Sequence, residues 1–154
     1  MKKILNLFVI ASCLLLLSSC SNENKEKLIG KWSETYTLEG YEWNLTYEFN
    51  KNGEFTQTLT PRSSVGIGFS VPGTWEIDYS GDLRLKYSIS HFAPLLGSEV
   101  SFNDPAVAEV VEDAQETMIE NNRENWYYKL EFINNDRLKI ISSDDEDIFD
   151  RVNN

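Results

Sequence analysis

From Gly30 onward, apolar side chains return at every second position, and that period constrains what this chain can become. Trp43, Leu45, Tyr47 and Phe49 alternate with Asn44, Thr46, Glu48 and Asn50. Trp75, Ile77 and Tyr79 alternate with Thr74, Glu76 and Asp78; Leu83, Leu85, Tyr87 and Ile89 with Arg84, Lys86 and Ser88; Trp126, Tyr128, Leu130 and Phe132 with Tyr127, Lys129 and Glu131. Successive side chains of a strand point to opposite faces, so this alternation describes an antiparallel sheet with one dry and one wet face. Turn residues fall between the runs: Asn52-Gly53, a hairpin pair needing φ > 0, then Ser80-Gly81-Asp82 and Asn134-Asn135-Asp136. Strands are predicted near 31–39, 42–50, 53–60, 67–79, 82–90, 125–133, 136–142 and 146–152, the fourth bent or bulged at Pro72. Eight short strands joined mainly by tight turns predict an all-β, up-and-down antiparallel barrel, which closes and leaves no edge.

One segment departs from period two. Asn103 or Asp104 can cap a helix, Pro105 suits its first position, and Glu109 and Glu112 favour its early turns. Val107, Val111, Ala114 and Met118 share one helical face. A helix is therefore predicted over 104–122, inserted between strands five and six, after an apolar loop carrying Phe92, Leu95, Leu96, Val100 and Phe102. If strand one rises from the closed end, the tight turns at Asn52-Gly53, Gly81 and Asn135 fall at the base. The long connections 61–66 and 91–124 then fall at the mouth. Burying the helix's apolar stripe over that opening makes it a lid.

The N-terminus has a different character. Met1-Lys2-Lys3 is basic, and Ile4 to Leu17 is apolar except for Asn6 and Ser12, a run of 14 residues. A stable bilayer crossing takes about 20, so the run reads as the core of a signal peptide. Leu17-Ser18-Ser19-Cys20 resembles the lipobox of bacterial lipoproteins, in which the Cys becomes the mature N-terminus and carries a diacylglycerol thioether. The resemblance implies a signal peptide over 1–19, lipid attachment at Cys20 with palmitate-type acyl chains, and a polar tether over 20–27. The barrel domain occupies 28–154. Several acyl chains anchor a protein stably where one does not. Cys13 leaves with the leader, so the mature domain has no thiol and no disulfide. Ser21 after the Cys resembles an outer-membrane address; which leaflet it faces stays open.

Within the barrel, Leu28-Ile29-Gly30-Lys31-Trp32 resembles the Gly-x-Trp that opens the first strand of lipocalins. Arg151, in Phe149-Asp150-Arg151-Val152, matches the Arg that packs over that Trp at the closed end of the family's barrel. With the leader, the chain looks closest to the lipocalin-like lipoproteins of Gram-negative bacteria. The resemblance implies a Trp32–Arg151 structural pair at the base and a ligand held in the barrel. The chain departs from the family in lacking a Thr-Asp-Tyr turn and in placing its helix before strand six, not after the last strand.

Charge and composition narrow the function. The chain holds 14 Lys and Arg against 25 Asp and Glu, a net charge of −11. Such a surface repels phosphate backbones, so nucleic acid is not expected as a partner. His91 is the only histidine and has no Cys or His companion, so it reads as a loop residue, and no metal or cofactor is expected. Ser142 to Asp147 reads as a solvated acidic turn. A nucleophilic triad reduces to a Ser with His91, and nothing in the sequence is expected to place a Ser near it. No carboxylate pair is singled out by an apolar surround, so an enzyme is not expected and no catalytic residue is assigned. The inward set comprises Trp43, Tyr47, Phe49, Phe55, Trp75, Tyr79, Tyr87, Trp126 and Tyr128. The predicted ligand site takes Trp43, Leu45, Leu59, Tyr87, Ile89, Trp126 and Tyr128 from the barrel mouth, and Val107, Val111 and Met118 from the helix. Two readings stay open. A hollow barrel would bind or carry a small, partly hydrophobic molecule in the cell envelope. A filled one, with Phe92, Leu95 and Leu96 exposed, would be an interaction module for another envelope protein.

Overall fold

The computed structural model describes residues 23–153 except 39, 64–65, 98–99, 102, 122–125 and 144. The predicted leader, Cys20 and the start of the predicted tether lie outside the described residues. Nine strands follow in order: β1 (Gly30–Leu38), β2 (Tyr41–Phe49), β3 (Glu54–Pro61), β4 (Ile67–Ile77), β5 (Leu83–Tyr87), β6 (Ala93–Leu96), β7 (Trp126–Asn134), β8 (Arg137–Ile141) and β9 (Glu146–Arg151). Residues 23–28 form a short helix, α1. The inserted helix, α2, spans Pro105–Asn121 between β6 and β7.

The strands pair antiparallel in the order β3-β2-β1-β9-β8-β7-β5-β4-β6, and a β3–β4 pairing closes the ring. The result is an eight-stranded antiparallel barrel. The ninth strand, β6, does not widen it. β4 pairs with β3 through Phe69–Thr74, so its other edge takes both β5, at Gly73–Ile77, and β6, at Ile67–Ser70. β5 and β6 are thus one barrel strand interrupted by a 3₁₀ turn at Ile89–His91. Part of the segment expected to be an apolar loop is therefore strand.

The interruption also accounts for Pro72. The expected bulge in β4 does not occur against β3, with which β4 keeps a continuous register across Pro72. Proline has no N–H to give a ladder. Here the break falls on the neighbouring strand instead, and the Pro72 carbonyl accepts the Ser88 N–H at 2.8 Å.

Two base turns share one construction. Asn50 and Asp78 each accept, at 3.1 Å, the N–H of a glycine three residues on, Gly53 at φ +84 and Gly81 at φ +88. Asn50 and Asp78 then donate their own N–H to Glu54 and Asp82. These are three-residue loops with a bulge glycine, not the two-residue hairpin that Asn52-Gly53 suggested. The longer loop takes Tyr79 out of its strand. Expected to point inward, Tyr79 is instead 94% exposed.

The lower barrel is solid. Trp32, Phe49, Phe55, Leu83, Leu85, Leu138 and Phe149 are all at most 1% exposed, joined by Trp75 at 4%. Phe49 meets Trp75 edge-on at 5.6 Å, and Tyr47 meets Phe149 edge-on at 5.5 Å. Burying each such ring removes roughly 150–250 Å² from water. Gly73 makes room for this packing, since a Cβ there would stand 2.5 Å from the Phe55 ring.

α1 closes the base. Residues 23–27 were expected to be tether but are helical, with a Lys27–Glu23 ion pair one turn apart at 2.6 Å. The Trp32 indole N–H donates to the Leu28 carbonyl at 2.8 Å, and Leu28 is fully buried. A helix end leaves carbonyls without partners, and here the barrel supplies donors to them.

Candidate functional site

The upper barrel is built differently from the base. The registers place successive rows of inward side chains across β1–β4. Trp32, Tyr47, Gln57 and Val71 form one row; Glu34, Leu45, Leu59 and Phe69 form the next towards the mouth. Above the first row lies a hollow that is open to solvent on one side. A cavity of about 260 Å³ is lined by Gln57, Leu59, Phe69 and Val71 from β3 and β4, by Phe92, and by Ala114 and Thr117 of α2. Phe92 stacks at a tilt on Phe69, with ring centroids 5.1 Å apart. Val107 is 8% exposed, and Val111 and Ala114 are half-buried, so the helix turns its expected face inward.

Why the cavity sits there follows from where α2 rests. The helix lies against the 3₁₀ turn at Ile89–His91. That turn belongs to the β4 side of the mouth, so the space beneath the helix is walled by β3 and β4. Of the residues expected to bind ligand, Leu59 lines the cavity. Trp43 and Leu45 are half-buried on the β2 wall, and Ile89 and Tyr128 pack against the core. Tyr87 is buried deeper, edge-on to Phe55 at 5.1 Å. Trp126 is 38% exposed at the rim, its ring stacked over Tyr128 at 6.4 Å. The Met118 side chain lies outside the described part. Gln57, Phe69, Val71, Phe92, Ala114 and Thr117 were not anticipated. Phe69 and Val71 do alternate inward along β4, and that signal could have found them.

The opposite wall is acidic. Glu34 lies between Trp32 and Tyr36 on the inner face of β1. Asp147, on β9 beside it, is half-buried, not part of a solvated turn. Burial pushes the Glu34 carboxyl up to about 7; the Asp147 and Asp145 charges add to this, and a hydrogen bond from the Ile148 N–H opposes it. Asp147 is raised as well, by burial and then by Asp145. Three tyrosines, Tyr36, Tyr47 and Tyr128, face the pair, and Tyr87 lies behind Tyr47. The Tyr47 and Tyr87 hydroxyls lie 3.4 Å apart, and burial raises both phenols. Tyr128 is pushed up to about 12 by burial and by Asp147. Tyr36 is raised by burial and by Glu34. The upper lumen thus has an apolar wall under the helix and a polar, negative wall at β1 and β9.

A larger concavity of about 520 Å³ lies outside the barrel, lined among others by Glu54, Thr56, Thr74, Lys86 and His91. Glu54, Thr74, Lys86 and His91 are exposed, and the hollow is a groove beside the β5 interruption. Contrary to the expectation that no serine neighbours His91, its Nδ1 lies 3.0 Å from the Ser88 hydroxyl and 3.1 Å from that of Ser90, because the 3₁₀ turn folds all three residues together.

No protein-family model matches the chain, and no curated protein matches it.

Proposed function

We propose that this chain is a membrane-anchored, lipocalin-like lipoprotein of the cell envelope, whose barrel binds a small, largely apolar molecule beneath α2. One observation carries the reading: the apolar cavity of about 260 Å³ between the β3–β4 wall and the helix. Ligand sites are concave, predominantly apolar and fitted with a few polar groups. The rival reading, an interaction module, called for a packed lumen and an apolar patch of Phe92, Leu95 and Leu96. Phe92 instead lines the cavity, Leu96 is half-buried, and Leu95 is 37% exposed. The anchor rests on the lipobox resemblance ending at Cys20.

Native mass spectrometry of the protein purified from its own cells tests the binding directly. The expected result is a co-purifying small molecule that is absent from Ala114→Trp, a substitution that fills the cavity without touching the base core. A wild-type protein with no adduct, and with no affinity for octan-1-ol by calorimetry, would overturn the reading.

A further inference from the structure

We propose that the molecule held beneath α2 carries a cationic amine, and that Glu34 with Asp147 receives it at the β1–β9 wall. This rests on the binding reading above and adds the chemical class of the ligand. Three observations carry it. First, Glu34 shares a register row with the cavity wall: Glu34 faces Leu45, Leu45 faces Leu59, and Leu59 faces Phe69. Neighbouring strands lie about 4.8 Å apart, so three spacings lead from the carboxylate to the far side of the cavity. A medium-length alkyl amine spans that distance, and Leu45 offers no polar atom on the way. Second, the charges acting on Glu34 come from Asp147 and Asp145, both of its own sign. A part-buried carboxylate is costly unless paired, and a ligand cation supplies the pair. Third, the surroundings are phenols and an indole. Tyr36 lies beside Glu34 on β1 and opposite Trp43 on β2, and aromatic faces attract ammonium groups.

Titration of calorimetric affinity with three matched probes, octylamine, octan-1-ol and octanoate, tests the assignment. At pH 8 octylamine is expected to bind at least about tenfold tighter than octan-1-ol, as a charge-assisted contact provides. Octanoate is expected to bind more weakly than either. The amine preference should shrink between pH 8 and pH 5 as Glu34, raised to about 7, takes up a proton, and the raised Asp147 acts in the same direction. The other groups facing the pair among the described residues are Asp145 and the phenols of Tyr36, Tyr47 and Tyr128, and those phenols are raised further above this range. In E34Q, D147N and the double variant the amine-to-alcohol ratio should fall towards one. Equal binding of amine and alcohol to the wild type would overturn this inference and leave apolar binding standing. So would a ratio that persists in the double variant, or tight binding of octanoate. Failure of all three probes to bind would overturn the binding reading itself.

Discussion

The Arg151 guanidinium lies over the Trp32 indole, 4.2 Å from the ring centroid, and reaches past it to three backbone carbonyls. It donates to Lys27 at 2.6 Å, to Ile29 at 3.1 Å and to Asn135 at 2.9 Å. One side chain therefore joins the last strand, the first strand, a base turn and the end of α1. A planar fork of five N–H donors can do this where a lysine cannot. Trp32→Ala is expected to cost about 3–5 kcal/mol. Arg151→Ala and Arg151→Lys should cost about 1.5–3 kcal/mol each. Urea denaturation of the double variant should show a coupling of at least about 0.5 kcal/mol; additive losses would mean that the two side chains do not act together.

Gly30 belongs to the same device. It adopts φ +128, and a Cβ there would stand 2.8 Å from Arg151 Nη1. Gly30→Ala should destabilise by more than about 1 kcal/mol through backbone strain and the clash together. In an Arg151→Ala background the clash disappears and only the strain remains, so the measured penalty should be smaller. An equal penalty in both backgrounds would show that the guanidinium does not occupy the space.

Glu34 makes stability depend on pH in a stated direction. Its carboxyl is raised from 4.5 to about 7 in the fold, so the folded chain holds a proton that the unfolded chain has released. The stability this provides is full below pH 4.5 and is lost as pH rises through about 7; Asp147, also raised, acts with the same sign. Glu34→Gln should flatten that decline while keeping an acceptor for the Ile148 N–H. At pH 8 it should be more stable than the wild type by about 1 kcal/mol, a figure discounted for solvent screening of a part-exposed group. Thermal melts at pH 5 and pH 8 check this; a variant less stable at both would be contrary to it.

The helix should behave as a lid. α2 lies on the 3₁₀ turn and covers a hollow, whereas β1–β4 are each laddered to neighbours on both sides. Segments with few buried contacts open more often. Amide exchange over Pro105–Asn121 is expected to be faster than in β1–β4 and to slow when an apolar ligand is added. Exchange as slow as the strands', unchanged by any hydrophobic probe, would make the helix a permanent plug.

If the proposed lipid anchor is right, Cys20→Ser should release the protein from the membrane or leave it unprocessed, since Cys13 is the only other cysteine and lies within the predicted leader. Labelled palmitate incorporated by the Cys20→Ser chain would remove the lipobox assignment.

The strands were legible because alternation is local: it follows from the pleat and needs no partner to be seen. The eight runs match the strands of the barrel to within a residue or two at most ends, and Pro105–Asn121 matches the predicted helix. Tyr79 was misplaced because period two continues through Asp78, while the three-residue loop that ends the strand depends on hydrogen bonds to Gly81 and Asp82. Sequence alone also indicated that the helix must bury Val107 and Val111 and that its ends lie at the mouth. It could not say which wall the helix would approach. That depended on the break between β5 and β6, which faces Pro72 across a ladder and has no signature of its own.

The acidic wall depended on tertiary structure most of all. Glu34 occupies an inward slot that the alternation of Trp32, Glu34 and Tyr36 displays, and Asp147 stands two residues before the buried Phe149. Each is ordinary within its own segment. They meet only because the first and last strands pair, Trp32 facing Arg151. The cost of burying like charges arises at that closure, between residues distant along the chain, and it leaves no trace in the local pattern of either strand.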